Sequence, residues 1–276
     1  MTEIGGSTAN LAIPIPGRPG AVVTLAWAAA TDTGKRRSAN EDSFVAKSPL
    51  FAVADGMGGH AAGDLASAAV VERLAEVVGS DFLAPRTVER ALERATADIA
   101  EIAGDSELGV GTTVTGAVLT LQEKDAYFAV FNIGDSRVYA FEANELVQVT
   151  TDHSVVQELV ESGALTRAEA EHHPDSNIIT RAVGFNAKPY ADFWMLPART
   201  GLRLLICSDG LTKEVTDDRI RLHLAAGLTP VETAGALIDA ALAAGGRDNV
   251  TAIVVDVLDA PEIADIEDTA PRSRSN

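Results

Sequence analysis

Four aspartates in this 276-residue chain stand at the edge of an apolar run with glycine close by. Phe51-Ala-Val-Ala-Asp55 runs into three glycines within four residues, Leu204-Leu-Ile-Cys-Ser-Asp209 into Gly210, and Phe131-Asn-Ile-Gly-Asp135 has its glycine before the acid. Gly246-Arg-Asp248 reverses the order and leads into the apolar stretch 252–257, while Glu41-Asp42 lies just upstream of the first block. Short apolar runs of this kind read as buried strands. Glycine after them lets the backbone turn sharply and brings its carbonyls close to a bound group. Singly, each block is an ordinary Asp-Gly turn. Strand ends from distant parts of a chain can converge on one sheet edge, however, and carboxylates gathered there repel one another unless cations neutralise them. Hard divalent cations take oxygen ligands of this type. The repeated pattern therefore points to a multi-metal, oxygen-ligand site.

The elements that must carry these residues follow from periodicity. Residues 1–20 are rich in Gly, Pro, Ser and Thr and read as a flexible leader. A first strand is expected over 22–30, then a polar loop over 31–42 in which Arg37, suited to an oxyanion, adjoins the acids Glu41 and Asp42. Strand pattern resumes over 43–46. An alanine-rich helix is expected over 61–78 and another from Pro85, with Val88, Ala91, Leu92, Ala95, Ile99 and Ile102 on one face. Strands at 110–121, 126–133, 138–141 and 146–149, joined by tight turns, indicate antiparallel pairing and not a βαβ alternation. The polar stretch 152–177 interrupts the strand pattern and reads as an inserted flap with two short helices around Gly163. Its histidines, His153, His172 and His173, lack the paired spacing of a zinc site and are expected to face solvent. Further strands are expected at 178–183, 191–196, 202–207 and 248–257, with helices at 217–226 and 230–244. An acidic, disordered tail is expected over 259–276.

Composition narrows the class. A net charge of −18 argues against nucleic acid or an anionic membrane as partner, since either would repel the chain. The single Cys207 cannot form an internal disulfide, and within an apolar run it reads as a small buried residue in a reducing compartment. No apolar run approaches the length of a membrane span. These features fit a cytoplasmic protein, expected to be a monomer.

Five blocks in order, Arg37-Ser-Ala-Asn-Glu-Asp42, Val53-Ala-Asp-Gly-Met-Gly-Gly-His60, Ile133-Gly-Asp-Ser-Arg137, Cys207-Ser-Asp-Gly-Leu211 and Arg247-Asp-Asn-Val250, resemble the metal-dependent serine/threonine protein phosphatases of the 2C type in their bacterial form. The resemblance runs from about residue 25 to 257. It implies an α+β fold, a four-layer αββα sandwich of two antiparallel sheets packed face to face with helices outside each, over a catalytic domain at 21–258. It implies Asp55 as the carboxylate bridging two Mn or Mg ions, the Gly56 carbonyl as a ligand of one, and Asp209 and Asp248 as ligands of the other. Asp135 resembles the ligand of a third, weaker ion, Glu41 and Asp42 resemble acceptors that orient water around the metals, and Arg37 resembles the residue that grips substrate phosphate. The implied activity is hydrolysis of phosphoserine and phosphothreonine on proteins by a water activated between the metals. Phosphoproteins, including a serine/threonine kinase, are the implied partners in bacterial signalling. Where eukaryotic members carry a histidine directly after Asp-Gly, this chain resembles the bacterial ones in having Met57, leaving the leaving-group acid open between His60, a metal-bound water and neither. Two alternatives share the fold: a phosphatase of a partner-switching sigma-factor regulator, and a non-catalytic phosphoprotein-binding relative. Asp55, Asp209 and Asp248, whose loss would mark the latter, are all present.

Overall fold

The computed structural model describes residues 1–58, 62–104, 109–170, 173–185 and 188–262. Strands β1 (Glu3–Gly5), β2 (Thr8–Pro14), β3 (Val22–Asp32), β4 (Asp42–Lys47) and β5 (Leu50–Met57) lead to helices α1 (Ala62–Glu76) and α2 (Pro85–Ala103). Strands β6 (Gly111–Thr112), β7 (Val114–Gln122), β8 (Asp125–Ile133), β9 (Arg137–Glu142) and β10 (Glu145–Gln148) follow. Two short helices, α3 (Val155–Glu161) and α4 (Arg167–Ala170), form the flap. The chain then continues through β11 (Asp192–Pro197), β12 (Arg203–Cys207), α5 (Asp209–Thr212), α6 (Asp217–Ala225), α7 (Pro230–Ala244) and β13 (Val250–Asp259).

One sheet has the order β1-β4-β5-β7-β8-β11 with β6 on the end of β5, and the other the order β10-β9-β12-β13-β3-β2. Pairing is antiparallel except between β1 and β4. Side-chain alternation with period two explains the layers. In β5, Phe51 and Val53 pack between the sheets with Trp27, Phe128 and Ile253, whereas Leu50, Ala52 and Ala54 pack under α1 and α2 with Val70, Leu74 and Leu92. In β12, Leu204 and Ile206 face the other sheet, and Leu205 and Cys207 face α6 and α7 with Ile220 and Leu237. Because both faces of the central strands are covered, they read as unbroken apolar runs. The result is the four-layer αββα sandwich. Among the described residues no helix is long and apolar enough to cross a membrane.

The helices lie close to their expected limits. α2 has Pro85 in its first turn and buries Val88, Ala91, Leu92, Ala95 and Ile99, while Ile102 in the last turn is exposed. α7 starts on a capping box, with Thr229 and Glu232 satisfying each other's backbone N–H groups.

Two expectations need correction. Residues 1–20 are not a flexible leader: β2 pairs with β3, β1 pairs with β4, and Ile13 and Ile15 are buried between the sheets. The Trp27 indole N–H also donates to the Gly6 carbonyl at 2.7 Å. Gly and Pro made this stretch look loop-like, but an edge strand tolerates both where its N–H groups are not needed. Residues 178–183 form no strand either. Their backbone groups bond to the flap and the loop before it, Val155 N–H to Ile178 O at 2.9 Å and Thr180 N–H to His153 O at 2.8 Å, leaving only isolated bridges at Ile179 and Val183. The stretch 152–177 carries two short helices, α3 and α4, on either side of Gly163. Most of the expected tail, 263–276, lies outside the described residues.

Since Ile13 is 2% exposed in the inter-sheet core, Ile13→Ala should lower the unfolding free energy by about 2–4 kcal/mol in urea denaturation. A dispensable leader would show a change within about 0.5 kcal/mol.

Candidate metal centre

The expected acids meet at one end of the space between the sheets. Asp42 of β4 and Asp55 of β5 are direct cross-strand partners. Asp55 shares the alternation of Phe51 and Val53, and Asp42 that of Phe44 and Ala46, so both are on the inter-sheet side. β5 does not stop at Asp55 as expected but continues to Met57, because β6 pairs with Gly56 and Met57. Asp55 is tied to the end of β6 and the link to β7: its N–H donates to Thr113 Oγ1 at 3.2 Å, and its carbonyl accepts from Thr113 N–H at 2.9 Å and Thr112 Oγ1 at 2.8 Å. From the opposite sheet, Ser208 and Thr251 hydroxyls donate to Asp42 Oδ2 at 2.8 and 2.7 Å. Gly56 is pressed against Gly63 and Glu41, where a Cβ would collide with both carbonyl oxygens.

Asp209 opens α5 at the end of β12, and Asp248 lies two residues before β13. Asn249, to which sequence reasoning gave no role, fixes both neighbours. Its Oδ1 accepts from Glu41 N–H at 2.9 Å, and its side-chain N–H₂ donates to Thr33 O and Ala39 O, each at 2.9 Å. The loop that carries Arg37 and Glu41 is thereby fastened to Asp248. The only sequence signal was the place of Asn249 inside the Arg247–Val250 block. Arg37 forks onto Asp248, with Nε to Oδ1 at 2.8 Å and Nη2 to Oδ2 at 2.9 Å. Lys213, also without an assigned role, forms an ion pair with Asp209 Oδ2.

Asp135 follows Gly134, whose φ of 112° and close approach to Thr113 leave room for no side chain. The turn is held by His153, which accepts from Gly134 N–H through Nδ1 at 3.1 Å while its own N–H donates to Gly134 O at 2.9 Å. His153 is therefore not the solvent-facing histidine expected; it is buried, and burial lowers its pKa. Its Nε2 lies 3.1 Å from Asp192 Oδ2. Arg137 pairs with Asp152 at 2.7 Å, leaving Asp135 free of it. Buried Cys207, its thiol pushed up to about 12 by burial, is no nucleophile. His60 lies outside the described residues.

The electrostatics show acids short of counter-charge. Burial and then the charges of Asp42, Asp209, Asp135 and Asp248 hold Asp55 well above the usual carboxylate range. Burial raises Asp42 to about 7 against the pull of its two hydroxyl donors, and burial with Asp209 raises Asp135 to about 7. Burial also raises Glu41, opposed by Arg37. Asp42 Oδ1 and Asp209 Oδ1 are buried without a hydrogen-bond partner among the described residues. Such oxygens, all hard donors, suit Mn or Mg. Among the described residues no three acids already close as a ready-made cage; Lys213 and Arg37 hold Asp209 and Asp248. Asp135, Asp209 and Asp248 open onto a groove of about 720 Å³ whose far wall is the flap, with Gln157 and Asn177.

A four-layer αββα sandwich with a cluster of acids at one end of its inter-sheet space thus defines the class. The chain belongs to the protein phosphatase 2C family, whose profile matches residues 33–244. It is 43% identical over 245 residues to serine/threonine protein phosphatase PstP of Mycobacterium tuberculosis, covering 86% of this chain and 46% of PstP. It therefore spans about half the length of that relative. To serine/threonine phosphatase stp of Listeria monocytogenes it is 35% identical over 239 residues, covering 82% of this chain and 93% of stp. In structure it is similar to the catalytic domain of PstP in complex with two manganese ions, with a TM-score of 0.74, 38% identity, and coverage of 86% of this chain and 99% of that one.

The raised acids give a pH prediction with a definite sign. A carboxyl at about 7 when folded and near 3.8 when unfolded keeps its proton in the folded chain between those values. The folded state then binds more protons, so stability falls as pH rises through that window. Chelator-stripped protein should lose thermal stability as pH rises from roughly 4 to 7, the bounds set by those pKa values. Asp42→Asn should flatten the profile, as read by melting curves across pH.

Proposed function

We propose that this chain is a metal-dependent phosphatase of phosphoserine and phosphothreonine on proteins. The observation that carries it is the register pairing of buried Asp42 with partly buried Asp55, close enough to Asp135, Asp209 and Asp248 for each to oppose the ionisation of Asp55. Like charges opposed across a strand pair are destabilising, and a site that keeps five of them is built for cations. Two cations bound there supply Lewis-acid polarisation of the phosphoryl group and make a nucleophile of water at neutral pH.

In this reading Asp55 would be a ligand of two Mn or Mg ions, with the Gly56 carbonyl serving one and Asp209 and Asp248 the other, and Asp135 with Asp209 would hold a third. Glu41 and Asp42 orient water at the site, with Asp42 itself held by Ser208 and Thr251. Arg37 moves from Asp248 to the substrate phosphate, for which a guanidinium fork is equally matched. The groove beside Asp135, Asp209 and Asp248 receives the phosphorylated segment. The leaving-group proton comes from water or from His60.

The named activities of PstP and stp support this reading, as does the manganese in the PstP catalytic domain. Its partners are phosphoproteins, with a serine/threonine kinase among them, and bacterial signalling is its setting. A phosphatase that opposes ATP-dependent kinases works where ATP is, in the cytoplasm, and the chain acts there as a monomer. The charge of −18 weighs against nucleic acid or an anionic membrane as partner.

With p-nitrophenyl phosphate and added Mn, Asp55→Asn, Asp209→Asn and Asp248→Asn should each lose more than about a hundredfold in turnover, and EDTA should abolish it. Full turnover in EDTA after exhaustive dialysis would overturn the reading. Arg37→Ala should raise KM by about tenfold or more with little change in Mn affinity. A collapse of metal affinity with KM unmoved would make Arg37 a structural partner of Asp248 instead.

A further inference from the structure

Lys213 lies just outside the blocks that resemble the family, yet its ammonium reaches the centre of the acid cluster. It pairs with Asp209 Oδ2, and its charge is felt at Asp135 and Asp55. The second Asp209 oxygen, Oδ1, is buried with no partner among the described residues. We propose that the Lys213 ammonium is an internal rival for the cation shared by Asp135 and Asp209, weakening metal uptake there and swinging out before that ion seats. This rests on the metal-dependent reading above.

Only the Lys213 side chain is free to give way, because its backbone is clamped on both sides. Ahead of it, Gly210 packs so closely on Asn249 that a Cβ would strike the Asn249 carbonyl, and Leu211 is fully buried. Lys213 N–H closes the α5 turn onto Asp209 O at 2.9 Å. Behind it, the Glu214 side chain is 3% exposed and accepts from Arg247 N–H at 3.0 Å and Arg247 Nε at 2.8 Å. Val215 is buried as well. The Lys213 side chain, by contrast, is 35% exposed. A four-carbon stem can carry the ammonium into the neighbouring groove, which Lys213 also lines, without moving Asp209. A fixed positive charge beside two carboxylates opposes a second cation by simple repulsion, and leaving them costs the pairing.

The test compares Lys213→Met and Lys213→Arg with the wild-type protein. Calorimetric titration of Mn into chelator-stripped protein should show the weakest Mn binding tightened about tenfold in Lys213→Met and little changed in Lys213→Arg. The melting temperature of stripped Lys213→Met should fall, because the acids lose their counter-charge, while that of the Mn-saturated variant should match wild type and show that it folds. Placing Lys213→Met in an Asp135→Ala background should remove the tightening. Unchanged or weaker Mn affinity in Lys213→Met would overturn the proposal and make Lys213 a residue that positions Asp209. Absence of any Mn uptake by wild type would overturn the metal-dependent reading itself, and the two failures are thus distinguishable.

Discussion

Asp42 and Asp55 face each other across two neighbouring strands on the inter-sheet side, Asp42 fully buried and Asp55 partly so, with three further aspartates within range of their charge. Left to themselves these acids push apart the sheet edge that carries them, and burial adds to the cost by removing water. Much of the local structure serves to hold them in place against that repulsion. Thr112 and Thr113 fasten the backbone of Asp55, Ser208 and Thr251 reach across from the second sheet to Asp42, and Asn249 binds the Arg37 loop to the strand beside Asp248. Local stability is given up at this one place and recovered from three apolar layers elsewhere.

Two basic side chains occupy the same space. Arg37 forks onto Asp248 and Lys213 pairs with one oxygen of Asp209, so two of the acids suited to metal are already neutralised from within the chain. Arg37 is half exposed at the rim and free to exchange one oxyanion for another. Lys213 sits deeper, on a backbone that does not yield. Positive groups that must leave their partners before the site is complete make cation occupancy a competition and not simple filling. The flap is anchored to this same edge through Arg137–Asp152 and through His153 on the Gly134 turn, which couples the Asp135 position to the wall of the groove.

Part of this was legible in the residues alone. Unbroken apolar runs such as 51–54 and 204–207 state that both faces of a strand are covered, and tight turns between them state that neighbours are antiparallel; together with the periodic face of α2 they carry most of the fold. Acids at the ends of those runs announce the chemistry, because the residue type and the adjoining glycine are local properties. What the residues could not announce is who meets whom. Asn249 bonds to Ala39 and Thr251 to Asp42 across some two hundred positions of chain, and no local pattern encodes such a pair. His153 looked like a surface residue until the Gly134 turn came to lie against it, and residues 3–14 looked like a leader until two sheets offered them free edges. Lys213 carries no local sign of a role. Its meaning depends on the distance between its ammonium and acids contributed by other strands, which exists only once the chain has folded.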